Sequence, residues 1–340
     1  MRAYLPAYQL KTPGTLTETL DLLAREPWKL FAGGTDLMVL FAAGQMAPGN
    51  FLNIWNLAEL REIKESSDHI TLGALTTYTR VQENPVLQSE FPMLCQAAFE
   101  TGGIAIQNRG TLGGNIANAS PAADSCPPLL AYEAELELLS ARGGRWVPYH
   151  EFHTGYRRSV LRPDELIVRI RLPRKSKSGR AGERETTGPL PLSCSPTLPL
   201  PRSPAPPVSH SPNPSAWSTI GAYSPRFFRT NGGWMHYFRK VGTRKAQAIS
   251  KVCFAGLAQV EEGRIADIRI ALGSVAPTVI RCPQTESLLK DKKTSLAATA
   301  AAREELAKEI APIDDMRSTV TYRRRVAENL LEEFLKELSR

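Results

Sequence analysis

Thr111–Asp124 reads TLGGNIANASPAAD, and the reading of the whole chain turns on this stretch. Two adjacent glycines, Gly113 and Gly114, follow Thr111 and Leu112 and precede Asn115. Glycine lets the backbone take positive φ and lets a ligand approach with no Cβ in the way. Successive amides in such a turn form a concavity suited to phosphate oxygens. Thr111, Asn115 and Ser120 can add short side-chain hydrogen bonds, and an ionised Asp124 accepts them from ligand hydroxyls. The stretch has neither the lysine of a P-loop nor GxGxxG spacing. The alternative is a tight strand-to-helix turn that holds no ligand.

A second Gly-Gly turn, Ala32–Leu37 (AGGTDL), follows the short apolar segment Leu30–Phe31. Around it, residues 1–60 read as strand, helix, strand, helix, strand. Thr15–Arg25 has apolar residues at 16, 20, 22 and 23, a helical face, with Thr15 or Thr17 as N-cap. Trp28–Phe31 feeds the turn, Asp36–Gly44 continues as a helix closed by Gly44, and Phe51–Asn56 is the third strand. This alternation predicts a small parallel unit, with the turn at a strand's C-terminal end, where open α/β sheets bind ligands.

Residues 61–174 change character. Ile63–Ser66 and His69–Gly73 predict a hairpin, Thr77–Asn84 and Phe91–Glu100 short helices, and Ser125–Tyr132 a helix after the glycine loop. Ala134–Ser140 and Arg145–Pro148 form a second hairpin, and Leu166–Leu172 alternates as a strand. His150 and His153 flank Glu151, but the spacing is not HExxH and no third ligand is evident.

Between 186 and 225 lie 11 prolines in 40 residues and no acidic residue. Such a composition resists helix and central strand and buries too little surface to fold, so 175–232 is expected to be either a disordered insertion or translated sequence not selected to fold. Order resumes near Gly233. His236–Val260 reads as strand, basic turn, short helix and strand. Ile265–Leu272 is a further strand, and Glu286–Asp291, Ser295–Ile310 and Thr319–Leu338 are helices. The last carries apolar residues at 326, 330, 331, 334, 335 and 338, one face.

The net charge of +8 is unevenly placed. Residues 173–245 hold 12 Lys and Arg against Glu183 and Glu185; the remainder holds 30 basic and 32 acidic residues. That is not the footprint of a nucleic-acid face, and Tyr322–Arg325 (YRRR) reads as a solvated helix face or a subunit contact. Five scattered cysteines without a CxxC pair argue against zinc or an iron–sulfur cluster held by this chain and fit reduced thiols in the cytoplasm. No run of 18 apolar residues predicts a membrane span, and the N-terminus has no apolar signal core.

AGGTDL at 32–37, TLGGNIANASPAAD at 111–124 and ALGSVAPTVIR at 271–281 occur in this order. Together they resemble the FAD-binding medium subunit of the molybdenum hydroxylases, the xanthine dehydrogenase and carbon monoxide dehydrogenase family, across about 1–174 and 233–340. The resemblance implies an α+β chain. A two-subdomain FAD-binding fold comes first: a small βαβ unit at 1–60, then a larger, mainly antiparallel subdomain at 61–174. A C-terminal flavoprotein domain at 233–340 follows, a three-stranded sheet with helices. It implies FAD contacts from Leu30, Phe31, Ala32, Gly33, Gly34, Thr35, Asp36, Leu37, Thr111, Leu112, Gly113, Gly114, Asn115, Asp124, Ile167 and Lys240. Ile167 would give an apolar contact, or else be plain sheet core; Lys240 would touch FAD, or else be a solvated turn lysine.

The implied function is electron transfer. Electrons from a molybdopterin-binding large subunit would pass through a [2Fe–2S] small subunit to this FAD and on to an external acceptor such as NAD+, in a dimer of heterotrimers. No catalytic residue or resident metal is expected on this chain. The rival readings are a self-contained flavin oxidase of the vanillyl-alcohol oxidase type and an assembly subunit that has lost FAD. Residues 261–340 look too short and helical for the substrate domain the first requires, and intact glycines argue against the second.

Overall fold

A computed structural model describes residues 8–174, 227–230, 232–244 and 247–340. The proline-rich stretch and Cys194, and with them most of the insertion expected at 175–232, lie outside these residues.

The first segment forms β1 (Tyr8–Lys11), α1 (Leu16–Arg25), β2 (Lys29–Phe31), α2 (Leu37–Ala42) and β3 (Gly49–Asn53). Its sheet runs β1-β3-β2, parallel throughout. Thr15 caps α1 by accepting the Glu18 amide (3.1 Å), which satisfies one orphan donor of the first turn. Leu20 and Leu23 of α1 pack with Trp28, Leu52 and Ile54. Helix α2, by contrast, buries none of its residues.

The second segment comprises β4 (Ile63–Glu65), β5 (His69–Gly73), α3 (Tyr78–Glu83), α4 (Pro85–Glu90), α5 (Pro92–Glu100), α6 (Ile104–Gln107), α7 (Leu112–Ala117), α8 (Cys126–Ala131), β6 (Glu135–Ser140), β7 (Gly143–Pro148), α9 (Tyr149–Phe152), β8 (His153–Gly155), β9 (Arg158–Ser159) and β10 (Leu166–Pro173). An antiparallel sheet in the order β4-β5-β10-β6-β7 forms its base. Four short helices, α4, α6, α7 and α9, were not expected. Asn84 caps the first, with Pro85 opening it, an arrangement that costs no backbone donor. Helix α7 is the glycine stretch itself: Thr111 Oγ1 accepts the Gly114 amide (3.1 Å) and starts a helical turn where a loop was predicted.

Strand β10 joins two cores. Leu166 and Val168 pack into the small parallel unit, while Ile167, Ile170 and Leu172 enter the larger core. Strict alternation would put Ile167 and Ile170 on opposite faces. A bulge in the β10–β6 register between Ile167 and Arg169 shifts the phase by one residue and brings both to the same side. Arg169 and Arg171 then meet Glu137 and Glu135 of β6 (2.7 and 2.6 Å).

The C-terminal segment carries β11 (Phe227–Arg229), β12 (Trp234–Val241), β13 (Val252–Glu261), β14 (Arg264–Gly273), β15 (Ile280–Arg281), α10 (Pro283–Leu289), α11 (Leu296–Glu309) and α12 (Val320–Leu338). Three long strands, β12, β13 and β14, make the antiparallel sheet, and the short β11 and β15 extend its two edges. Strand β11 precedes the point near Gly233 where order was expected to resume. The short helix expected between β12 and β13 does not occur among the described residues of 242–251.

One face of this sheet takes α12. Phe334 lies over Gly256, where an added Cβ would meet its ring at 2.7 Å, and stacks on Tyr237 at 5.7 Å between centroids. The other face, through Trp234, Phe238, Cys253, Ala255 and Ala271, joins the core of the second segment. Arg323 departs from the solvated-face reading of YRRR. It is buried and donates to the carbonyls of Lys251 (3.0 Å) and Ser274 (2.8 Å) while pairing with Asp315 (2.8 Å).

His236 of β12 sits in the shared core, 2.9 Å from the Tyr132 hydroxyl, and burial pushes its imidazole down from 6.5 to about 3. The unfolded chain therefore binds a proton that the folded one refuses between those values. Stability present above pH 6.5 is lost as pH falls toward 3. His236→Asn should flatten this dependence: between pH 7 and pH 4 the urea midpoint of the variant should fall less than that of the parent. Equal falls would remove His236 from the acid response.

Candidate functional site

The three motifs separated in sequence converge in the fold. The AGGTDL turn leaves the C-terminal end of β2 and lies against the residues that lead into α7. An added Cβ at Gly33 would sit 1.8 Å from the Arg109 carbonyl oxygen, so the two backbones touch where only glycine fits. Gly34 has φ of +77°, and a Cβ there would also strike the Phe31 ring at 2.7 Å. Asn118, just past α7, donates to Asp36 (3.3 Å). At the other end of the stretch, Pro121 accepts the Ser274 amide (2.7 Å). A Cβ at Gly273 would come within 3.1 Å of the same Pro121 oxygen.

The two glycine pairs do different work. Among the described residues, the amides of Gly34, Thr35 and Asp36 donate to no protein acceptor, and unspent amides at a helix start suit an anion. The Gly113 amide instead donates to Ala74 O (2.9 Å), and that of Gly114 to Thr111 Oγ1. This corrects the expectation that these two amides form an open phosphate cradle. Gly113 is buried, and its missing Cβ lets α7 press on Ala74, whose Cβ would lie 2.7 Å away. Gly114 is exposed, with only the Thr111 side chain near its Cβ position. Asn115 accepts from Ser125 Oγ, which ties α7 to the start of α8. Leu112 is core.

Asp124 and Lys240, 116 positions apart, form a buried ion pair with Nζ 2.6 Å from Oδ2 and side-chain exposures of 8% and 6%. Ser250 donates to the other carboxylate oxygen, and Lys240 also donates to the Glu100 carbonyl (2.8 Å). Burial raises the Asp124 carboxyl above the ordinary aspartate range; Lys240 and Ser250 pull it back. The solvated-turn reading of Lys240 is thus excluded. Asp124 is more than a ligand acceptor: its carboxylate already serves a protein cation, with lone pairs left over. Ile167 is 3% exposed, opposite Leu138 in the main core. Leu30, Phe31, Ala32, Thr35 and Leu37 are half-buried along the first turn.

The histidine pair separates. His150 is exposed beside Glu151 (3.4 Å), while His153 meets the Ile116 carbonyl (3.0 Å). Among the described residues no three metal-ligating side chains come together. Burial pushes the Cys95 and Cys126 thiols up to about 12, which leaves them protonated. Sequence reading missed Ser250, which carries no local signal in its basic turn, and Arg109, whose place directly before the glycine stretch was the available clue.

Comparison with known proteins follows the same division. Residues 6–175 match the family described as the FAD binding domain in molybdopterin dehydrogenase, and residues 236–338 the CO dehydrogenase flavoprotein C-terminal domain. The chain is 29% identical to the xanthine dehydrogenase FAD-binding subunit of Escherichia coli O157:H7, over 95% of this chain and 93% of that one. It is 26% identical to the carbon monoxide dehydrogenase medium chain of Hydrogenophaga pseudoflava, over 97% and 96%. A carbon monoxide dehydrogenase structure from Hydrogenophaga pseudoflava, lacking the Mo-pyranopterin moiety of its molybdenum cofactor, aligns with a TM-score of 0.78 at 23% identity. It covers 97% of this chain and 96% of that chain, and it bears on the fold alone.

The glycine geometry predicts a graded series. Gly33→Ala and Gly113→Ala force backbone or core apart and should each cost about 1–3 kcal/mol, the range for overpacking. Gly114→Ala adds an exposed Cβ to a helix and should change stability by less than about 1 kcal/mol. Urea denaturation checks the order; equal effects at 113 and 114 would reverse the assignment. Asp124→Asn leaves Lys240 buried without its counter-charge and should cost about 3–5 kcal/mol, whereas replacing both partners by apolar residues should cost less.

Proposed function

The chain belongs to the FAD-binding medium subunits of the molybdenum hydroxylases, and on that premise we propose that it is the electron-transfer subunit of a three-component complex. It binds FAD and is an oxidoreductase subunit. In our reading it takes electrons from a [2Fe–2S] small subunit, itself supplied by a molybdopterin-binding large subunit, and delivers them to an external acceptor such as NAD+. The assembly would be a dimer of heterotrimers in the cytoplasm. Among the described residues no helix is long and apolar enough to cross a membrane.

The observation that carries the reading is the AGGTDL turn: three unspent amides, Gly34 to Asp36, at the end of a parallel strand and wedged against Arg109. That is a fit for a diphosphate, which gathers backbone donors at a helix start. FAD, when bound, supplies the redox chemistry. The residues hold and orient. The Gly34–Asp36 amides would take phosphate oxygens, and Thr111 and Asn115 fix the α7 turn alongside. Asp124, braced by Lys240 and Ser250, would offer its remaining lone pairs to cofactor hydroxyls. Ile167 would contribute an apolar surface. In this scheme Lys240 acts by holding Asp124 and by fixing the end of α5 through the Glu100 carbonyl.

Purified protein should absorb near 450 nm, and Gly34→Val should abolish that band while the chain stays folded. Full flavin occupancy in a folded Gly34→Val protein would displace the site. Alone, the subunit should show no hydroxylase turnover. Joined to its iron–sulfur and molybdenum partners under anaerobic stopped flow, it should bleach at 450 nm after substrate is added. A flavin that stays oxidised while the molybdenum centre is reduced would end the electron-transfer reading. Turnover by the lone chain would install the self-contained oxidase in its place.

A further inference from the structure

Two arginines, Arg61 and Arg109, stack on Trp55 just beyond β3, and a third, Arg80, adjoins Arg61. The Arg109 guanidinium carbon lies 3.7 Å from the centre of the Trp55 ring and that of Arg61 4.1 Å from it. Arg61 donates to the Trp55 carbonyl and Arg80 to the Arg61 carbonyl. Arg109 also reaches the Gly33 carbonyl through Nε (3.4 Å), so the group borders the turn with the unspent amides. Among the described residues none of the three forms an ion pair. The nearby acids are engaged elsewhere: Glu62 pairs with Lys64, and Glu59 accepts the Leu16 amide.

The same chain also holds a stacked arginine that is neutralised. Arg171 lies over Trp146 at 4.1 Å, the same stacking, but its guanidinium is met by Glu135 at 2.6 Å. Arg142, Arg145, Arg169 and Arg174 likewise each have an acidic partner. Outside residues 173–245 the chain carries slightly more acid than base, so an uncompensated triple positive charge is not a by-product of a basic surface. Its self-repulsion is visible at Arg61, whose guanidinium is held below the ordinary range, first by burial and then by Arg80 and Arg109. Like charges held close cost free energy unless an anion joins them. Guanidinium forks pinned against an aromatic ring are preorganised for phosphate oxygens.

We propose that Arg61 and Arg109, stacked on Trp55 beside the Gly33 turn, together with Arg80, which is bonded to the Arg61 carbonyl, form an anion site for the phosphate groups of a nucleotide. With Trp55 already carrying two guanidinium groups, the site offers N–H edges, not a face for stacking a base. Two sources could bring the phosphate: the diphosphate of the resident FAD, or that of a dissociable nucleotide acceptor. The second source, like the first, rests on the function proposed above; the site itself does not.

Inorganic pyrophosphate titrated calorimetrically into the apoprotein tests the site directly. The parent should bind it, and Arg80→Gln and Arg109→Gln should each weaken binding about tenfold or more, the worth of one charged hydrogen bond. Arg109→Lys, which keeps charge but loses the planar stack, should recover only part. Thermal melts identify any variant that fails to fold; Arg80, exposed and bonded only through one backbone carbonyl, is the variant expected to fold normally. Repeating the titration on FAD-loaded protein separates the sources. Loss of pyrophosphate binding on loading, with weaker FAD retention in Arg80→Gln, assigns the site to the cofactor. Retained binding that ADP competes away assigns it to a second nucleotide. Pyrophosphate affinity unchanged in folded Arg80→Gln and Arg109→Gln, or no binding by the parent apoprotein, overturns the proposal. A parent that binds pyrophosphate but holds no flavin would instead unseat the FAD reading and leave the anion site standing.

Discussion

The ion pair between Asp124 and Lys240 is the interaction on which the rest depends. Both charges are almost fully withdrawn from water, and burial at that depth costs several kcal/mol per ion unless partners replace the lost hydration. Ser250 and the Glu100 carbonyl supply those partners. The result ties four pieces together: the end of α5, the loop after α7, strand β12 and the turn before β13. Such a pair fixes geometry more than it adds stability. A small displacement of β12 would leave a bare charge in the core, so the C-terminal sheet has one permitted seat on the second segment.

A second constraint is the contact between backbones at Gly33 and Arg109. Helix α2 buries nothing and cannot hold the AGGTDL turn in place by hydrophobic packing. Position comes instead from β2 behind the turn, paired in parallel with β3, and from the Arg109 carbonyl pressed against Gly33. The turn is therefore held by its backbone, and the amides of Gly34 to Asp36 stay without a protein acceptor. Its neighbour, the glycine pair of α7, is the reverse case: its amides are internally bonded, and Gly113 serves close packing against Ala74. Two similar dipeptides thus differ in role: one leaves amides without a protein acceptor, the other lets an element pack closely.

The bulge in β10 makes this division possible. One strand contributes to the core of the small parallel unit and to the larger core, and the phase shift at residue 168 lets neighbouring apolar residues serve both. Ile167 sits at that point. The arginines of β10 pair with glutamates of β6 on the opposite face, and their charges are neutralised within the sheet. Among the described residues the arginines at Trp55 have no such neutralisation and lie close enough to repel one another.

The sequence by itself determined the order and type of most elements. Alternating strand and helix at 8–53, the two hairpins of the second segment and the apolar stripe of α12 all follow from local periodicity, which depends only on neighbours within a turn or a pleat. It also brought forward the three glycine-bearing stretches, because steric demands on a backbone leave a residue-type trace. Only the tertiary structure decided which glycine amides are free, since Ala74 and Thr111 claim those of α7 from positions no spacing rule connects. It paired Asp124 with Lys240 and recruited Ser250, a link spanning more than a hundred residues. It turned Arg323 inward from a stretch that reads as solvent-facing, and it stacked Arg61 and Arg109 on Trp55 with Arg80 beside Arg61. Each of these rests on long-range proximity, and a side chain's charge or hydrogen-bond partner is set by what the fold carries to within a few ångströms of it.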